Sequence, residues 1–338
     1  MKPFLSLFLG FLLPGTLCAQ LEWRISVKLF TGPNGELPTD PGWGGGNIRQ
    51  SISNNIAMVN RTLYATGRGY QWRLTEIVTV AGNTTPLPAS TNSWFNLPVN
   101  AATQDDLDGK AKANAAAFAY RTDAINFYFV NSTVGPNGGY CAFPNENQHV
   151  ITVAPNSFSD VLIHEAGHFF SLAHTFDSGG ACNMGVPQSL GDDGIADTAR
   201  DYPCGTRDQL SQGLFGANYA NLTAGQQAQV DSAWLNIMSY HSPGSLFTSD
   251  QLDRMTDSSN GDRFNVASGR TRFVDFRNSG IFQFGSSVFP FGSVGAGVNG
   301  ANPGDIVLIR SGTYTAPQTI TKAVTLRATR GWSTLVAP

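Results

Sequence analysis

Apolar and polar residues alternate from Glu22 to Phe30, with Trp23, Ile25, Val27 and Leu29 set against Arg24, Ser26 and Lys28. A period of two predicts a half-buried strand. After a Gly/Pro-rich stretch from Thr31 to Gly46, Ile48, Ile52, Ile56, Val59 and Leu63 recur at steps of four and three. That spacing marks one face of a helix stopping near Gly67 and Gly69. Trp72 to Val80 reads as a strand, and Leu107, Ala111, Ala115 and Phe118 mark a second helix. The continuous apolar run from Ala124 to Val130 suits a strand buried on both faces. Gly138 to Val153 predicts a further, more exposed strand. Ser159 and Asp160 then open a third helix through Leu172, since both side chains favour helix N-termini. Strand and helix alternate, so the front of the chain is expected to be α/β.

Beyond about residue 272 the pattern changes. Phe and Gly repeat at Phe282, Phe284, Gly285, Phe289, Phe291 and Gly292, followed by short apolar strands at Ile306 to Ile309 and Val324 to Leu326. The stretches Asn302 to Tyr314 and Ile320 to Arg327 resemble the opening rungs of a right-handed parallel β-helix of the pectate-lyase-like kind. One or two rungs fall short of the roughly three units a stacked repeat needs. The expectation is therefore that the chain is a fragment of something longer or that this unit packs on the preceding domain. The expected organisation is a signal peptide over 1–19, an α/β (α+β) domain with a twisted sheet over 20–270, and a partial all-β unit over 271–338.

Composition narrows the function. Only 13% of the 338 residues are charged and the net charge is −3, with no basic run. The electrostatic footprint of a nucleic-acid binder is missing. Lys2 precedes an apolar run from Phe4 to Leu13, broken by Pro14 and Gly15, with Leu17-Cys18-Ala19 before Gln20. This is the layout of a cleaved secretory signal, too short for a membrane span of about 20 residues. Export is expected, to an extracellular location. Cleavage would leave Cys141, Cys182 and Cys204 in an oxidising compartment, which implies one bridge and one remaining thiol.

Three of the five histidines fall in the eleven residues from His164 to His174. On a helix, His164 and His168 lie one turn apart on one face, so both imidazoles can point at one ion, with Glu165 beside them. A third ligand six residues later cannot share that face unless the chain turns back. His174, beyond a break near Ser171, is placed to do so. Three nitrogen ligands leave a fourth zinc position open to water, whose acidity zinc raises and whose proton Glu165 can take. Histidines spaced in this way, with a Glu after the first, form a known metalloprotease helix signature.

From these residues the sequence resembles the metzincin clan, in which the long histidine motif is followed by a Met-containing turn. Asn236-Ile-Met238-Ser-Tyr240 is similar to that turn. Within the clan the chain resembles the pappalysin-like family, also called cytophagalysins. The residues that carry this are His174-Thr-Phe176, Asp193-Gly-Ile-Ala-Asp197-Thr198, and Phe247 to Met255. The resemblance spans about residues 22 to 258, with specific motifs from 164 onward. It departs from the clan at Ser171, where a glycine usually stands.

The resemblance implies zinc held by His164, His168 and His174, Glu165 as catalytic base, and Met238 as an apolar floor beneath the ligands. It gives Tyr240 a role at zinc or at the oxyanion, against the alternative of an ordinary packed aromatic. It pairs Cys182 with Cys204, while a pairing with Cys141 stays open. It also implies calcium on Asp193, Asp197 and Thr198, against the alternative of a solvated Asp/Gly turn. His241, next to Tyr240, is placed to line the cleft. The expected activity is that of a secreted zinc endopeptidase acting on extracellular proteins or peptides. The competing expectation is a retired metzincin scaffold serving in extracellular binding or adhesion. By analogy with β-helix proteins, the C-terminal unit would contact glycans.

Overall fold

The computed structural model describes residues 21–39, 47–68, 70–131, 138–144, 149–155, 160–177, 189–241, 243–286, 289–315, 319–328 and 333–336. The expected signal peptide, Ser159 and Cys182 lie outside the described residues. The elements run β1 (Leu21–Thr31), α1 (Ile48–Ala65), β2 (Tyr70–Ala81), α2 (Ala101–Ala113), β3 (Ile125–Phe129), β4 (Gly139–Cys141) and β5 (Val150–Val153). They continue with α3 (Val161–Phe169), α4 (Arg207–Phe215), α5 (Ala224–Trp234), α6 (Ser249–Asn260), β6 (Ala267–Ser268) and β7 (Thr271–Val274). The last are α7 (Val294–Asn299), β8 (Ile306–Ile309), β9 (Thr313–Thr315), β10 (Thr325–Ala328) and β11 (Thr334–Val336).

The main sheet has the order β2-β1-β3-β5-β4, and β6 adds to the start of β1 at Glu22 and Trp23. The four strands from β2 to β5 in that order run parallel, and β4 folds back antiparallel on β5 at the edge. The fold is mixed α/β, as expected from the alternation of elements. On one face, Trp23, Ile25, Val27 and Leu29 pack with the apolar stripe of α1 and with Leu162, Ile163, Ala166 and Phe169 of α3. On the other, Phe30, Trp94, Leu107, Phe118 and Tyr128 form a second core. Burying both faces stabilises the sheet by roughly 1.5–3 kcal/mol per large apolar side chain.

Several expectations need correction. The polar side of β1 is not solvated: Arg24, Ser26 and Lys28 are all buried. Arg24 donates to the carbonyls of Asp123 (2.6 Å), Pro303 (3.1 Å) and Asn265. Lys28 donates to Ser26 Oγ (2.6 Å) and Asn126 Oδ1 (2.5 Å), and burial lowers its pKa to about 7. Distant chain segments cover this face, a fact that a period of two cannot convey. The stretch from Gly138 to Val153 holds two strands rather than one, and β5 is fully buried because β4 turns back and pairs with it.

Helix limits also differ. α2 starts earlier, where Asn100 and Thr103 form reciprocal caps, and it ends before Ala115 and Phe118, although Phe118 still reaches the second core. Asp160 precedes α3 without capping it, since its carboxylate accepts from Gly244 N–H (2.8 Å). Helices α4 and α5, unforeseen, pack through Leu210, Leu222, Val230 and Ala233.

The C-terminal strands pair in parallel, in the order β10-β8-β7 and as the pair β11-β9. They enclose a small core of Val274, Val294, Val298, Val307, Ile309 and Tyr314. Asn302 Nδ2 donates to the carbonyls of Phe264 and Ala267 (both 2.9 Å), and Asp305 accepts from Arg270 N–H (3.0 Å) and Arg272 Nε (3.2 Å). With Arg24 on Pro303, these bonds join the C-terminal strands to the main sheet.

α3 ends at Phe169 instead of running to Leu172, and the chain reverses at once. Ser171 has φ 71°, and the Leu172 N–H donates back to the Gly167 carbonyl (2.9 Å). A left-handed conformation costs a residue with a Cβ about 1–2 kcal/mol, whereas glycine adopts it freely at some entropic cost in the unfolded chain. Replacing Ser171 with Gly should therefore leave stability unchanged or raise it by up to about 1 kcal/mol, measured by denaturant unfolding. A fall in stability would show that the Ser171 side chain contributes more than its backbone costs.

Candidate metal centre

The turn at Ser171 returns the chain so that His174 meets the two helical histidines. One ring nitrogen from each of His164, His168 and His174 lies within 4.8 Å of the others, and the three form the only such ligand group among the described residues. Their other ring nitrogens are occupied. His164 Nδ1 meets the Ile237 carbonyl (2.7 Å), His168 Nδ1 the Leu172 carbonyl (2.7 Å), and His174 Nδ1 the Asp177 carboxylate (2.8 Å). A carbonyl can only accept, so Nδ1 of His164 and His168 must carry the proton. The Asp177 carboxyl is held below the usual range by its bonds to His174, against an opposing push from burial, so it too accepts.

The Nε2 atoms of His164 and His168 therefore carry lone pairs, and His174 turns its own Nε2 toward them. His168 Nε2 and His174 Nε2 stand 3.0 Å apart. A contact that short needs a proton or a metal ion between the two nitrogens, and three converging imidazole nitrogens are a donor set that fits a tetrahedral metal with one position open. Burial lowers the pKa of His164 to about 4 and that of His168 well below normal, with the neighbouring histidines adding to the shift. Both rings are neutral, the form that ligates.

Glu165 is buried, and desolvation pushes its pKa to about 8, offset in part by a hydrogen bond from the Cys141 backbone. The edge strand β4 approaches it closely: a Cβ on Gly139 would fall 2.8 Å from Glu165 Oε1. Met238 is fully buried and lies against α3 at Gly167, where any Cβ would collide with its Sδ. Glycine within the helix thus admits the methionine beneath the ligands.

Tyr240 is 55% exposed, with its ring 4.8 Å from that of His174 and 5.8 Å from that of His164. Partial burial, with the charges of Glu165 and Asp177, pushes its pKa to about 12, so the phenol keeps its proton and can donate. Phe176 stacks on His174 (4.9 Å, 8°), and Phe143 meets His168 edge-on (5.5 Å). Asp177 and Gly167 were missed in the sequence. A carboxylate three residues after the third histidine and a glycine before the second were the available signals.

The Asp-rich segment is held by protein donors. Asp193 accepts from Ile195 N–H (2.9 Å), Gln251 Nε2 (3.1 Å) and the Thr198 hydroxyl, and burial raises its pKa. Asp197 accepts from Asp250 N–H (3.0 Å) at the start of α6. Asp193 and Thr198 thus meet, while Asp197 faces a helix end. Cys204 is disulfide-bonded. Its expected partner, Cys182, is not among the described residues. Cys141 carries a buried thiol that donates to the Ala142 carbonyl (3.3 Å). His241 does not line the cleft. It is buried, stacked on Trp234 (4.0 Å, 9°) and bonded to Asp201 (3.1 Å).

Residues 95–260 match the family model of peptidase M43, described as pregnancy-associated plasma protein-A. No curated protein matches the chain. Among solved structures, mature mirolysin of Tannerella forsythia in complex with a cleaved peptide is 17% identical, over 72% of this chain and 94% of that one, with a TM-score of 0.43. A chain of a chaperone–substrate complex is 14% identical, over 48% of this chain and 26% of its own length, with a TM-score of 0.30. No helix among the described residues is long and apolar enough to cross a membrane. The histidine triad and the Met238 turn both fall inside the matched stretch, which covers just under half of the chain and is similar to the pappalysin family of zinc metallopeptidases.

Proposed function

We propose that the chain is an exported endopeptidase that hydrolyses internal peptide bonds of extracellular proteins, with His164, His168 and His174 holding zinc. The observation that carries this reading is the convergence of one ring nitrogen from each histidine within 4.8 Å, each ring fixed by an acceptor on its far side. Bound there, zinc supplies Lewis acidity toward water and toward the substrate carbonyl. Glu165 then takes a proton from the attacking water on its carboxylate and passes it to the departing amine nitrogen. Burial raises its proton affinity, and the positive charge of a bound metal would draw its pKa back down and keep the carboxylate form available as the base. The protonated phenol of Tyr240 donates to the oxygen on which negative charge develops. Met238 supplies the apolar floor that keeps the helix and the turn in register.

Four further parts of this reading stand on the sequence and on local geometry. Residues 1–19 act as a cleaved signal. Cys182 pairs with Cys204. Asp193, Asp197 and Thr198 take calcium beside the cleft, supported by the close approach of Asp193 and Thr198. Residues 271–338 form a partial β-helix that contacts glycans, supported by the parallel pairing of its short strands.

In the purified chain, Glu165→Gln should lower casein cleavage by a factor of about 10² to 10⁴ while bound zinc, measured by metal analysis, stays near one per chain. Cleavage at the wild-type rate in this variant would remove Glu165 from the mechanism. A zinc-free wild type without chelator-sensitive cleavage would favour the retired scaffold instead. For the Asp-rich segment, calcium at about 100 times its dissociation constant should stabilise the wild type by about 2.7 kcal/mol and raise its melting temperature. Asp193→Ala should show a much smaller rise. Equal melting of both proteins with and without calcium would leave zinc as the sole metal.

A further inference from the structure

The pull between the third ligand and the methionine turn converges on one buried carboxylate. Asp201 is fully buried, and its two oxygens accept four hydrogen bonds. Oδ2 accepts from the hydroxyls of Thr175 (2.7 Å) and Ser239 (2.6 Å), and Oδ1 from Tyr202 N–H (2.8 Å) and His241 Nε2 (3.1 Å). Its backbone exchanges both hydrogen bonds with Gly191 (2.9 and 3.0 Å). Three segments that are distant in sequence, around residues 175, 191–202 and 239–241, are thus tied at a single residue.

A buried carboxylate is costly unless its lone-pair sites are filled, and here all four are taken. What the arrangement holds is specific. Thr175 follows His174 directly, and its N–H donates to the Met238 carbonyl (3.2 Å). Ser239 follows Met238, two residues after Ile237, whose carbonyl fixes the His164 ring. Asp201 therefore locks the segment carrying the third ligand to the segment that orients the first. The charge-assisted bonds to the two hydroxyls are about twice as strong as neutral ones. The stacked Trp234 restrains His241 as the fourth donor.

We propose that Asp201 is a positioning residue: through Thr175 and Ser239 it sets His174 against His164 at the geometry the metal requires. This rests on the reading of the triad as a zinc site and adds a residue outside the histidine motif to it. Loss of a partner behind a metal ligand weakens metal affinity by about 10- to 100-fold.

The test uses the full zinc-loaded chain and compares Thr175→Val, which removes the hydroxyl on Asp201 at constant shape, with Thr175→Ser, which keeps it. Zinc affinity is measured by competition with a chromogenic chelator, and ligand geometry by the visible spectrum of the cobalt-substituted protein. Thr175→Val should bind zinc about 10- to 100-fold more weakly and shift the cobalt bands, while Thr175→Ser stays within about threefold of wild type. If Thr175→Val does not fold, Ser239→Ala cuts the same link from the other end and should show the same loss. Wild-type affinity and cobalt spectrum in the folded variant, with zinc bound by the wild type, would overturn the positioning role alone. A wild type that binds no zinc would overturn the metal site and this role with it.

Discussion

The convergence of three imidazole rings on one point is the constraint on which the rest of the site depends. Each ring is turned inward by an acceptor behind it: two backbone carbonyls and one carboxylate. None of these acceptors belongs to the helix that carries the first two histidines. Leu172 lies past the reversal at Ser171, Ile237 in the methionine turn, and Asp177 past the third ligand. The helix supplies spacing, while the loops around it supply direction. That division explains why the reversal must be tight enough to require a left-handed residue, and why α3 carries a glycine where Met238 presses against it.

The same segments that aim the histidines are anchored to structure farther away. The methionine turn is fixed by Asn236, which donates to Gln251 (3.0 Å) on α6 and accepts from Met238 N–H (2.8 Å). Gln251 in turn donates to Asp193, so the Asp-rich segment, α6 and the turn share one polar network. On the opposite side of the sheet, Arg24 reaches the carbonyls of Asn265 and Pro303, which binds the C-terminal strands to β1. β1 lies inside the sheet, between β2 and β3, and the other face of that sheet supports α3. Rigidity at the metal-binding residues is thus drawn from both faces of the sheet.

How much of this was legible in the sequence follows from the range of each interaction. The strands β1, β2 and β3, the helix α1 and the histidine motif rest on local spacing, and they stand where periodicity put them, within a few residues. The polar residues of β1 misled because alternation reports what a strand carries, not what comes to cover it. Arg24 and Lys28 are satisfied by partners about 100 or more residues away, save for the bond from Lys28 to Ser26. The span from Gly138 to Val153 failed for a related reason, since a reversal in the middle of an apolar stretch leaves little periodic trace. At the site, the grouping of the three histidines and the methionine turn beside them were readable, whereas Asp201 was not. A lone aspartate in a loop has no spacing to mark it, and only the folded chain brings Thr175, Ser239 and His241 to it.

These long-range bonds also bear on what the metal does for the fold. The site gathers two histidines kept neutral by burial, a carboxyl with its pKa raised to about 8 and a fully buried aspartate, all groups that would be better solvated in the unfolded chain. Apolar packing of Met238 and Phe169 offsets part of that cost, but it does nothing for the 3.0 Å approach of the His168 and His174 ring nitrogens. A metal held there would stabilise only the folded chain, because the unfolded chain holds no preformed triad. Metal binding and folding would therefore be coupled through the residues that orient the rings. The buried polar network around Asp201 and Asn236 is the part of the fold through which that coupling would spread from the histidines to the sheet.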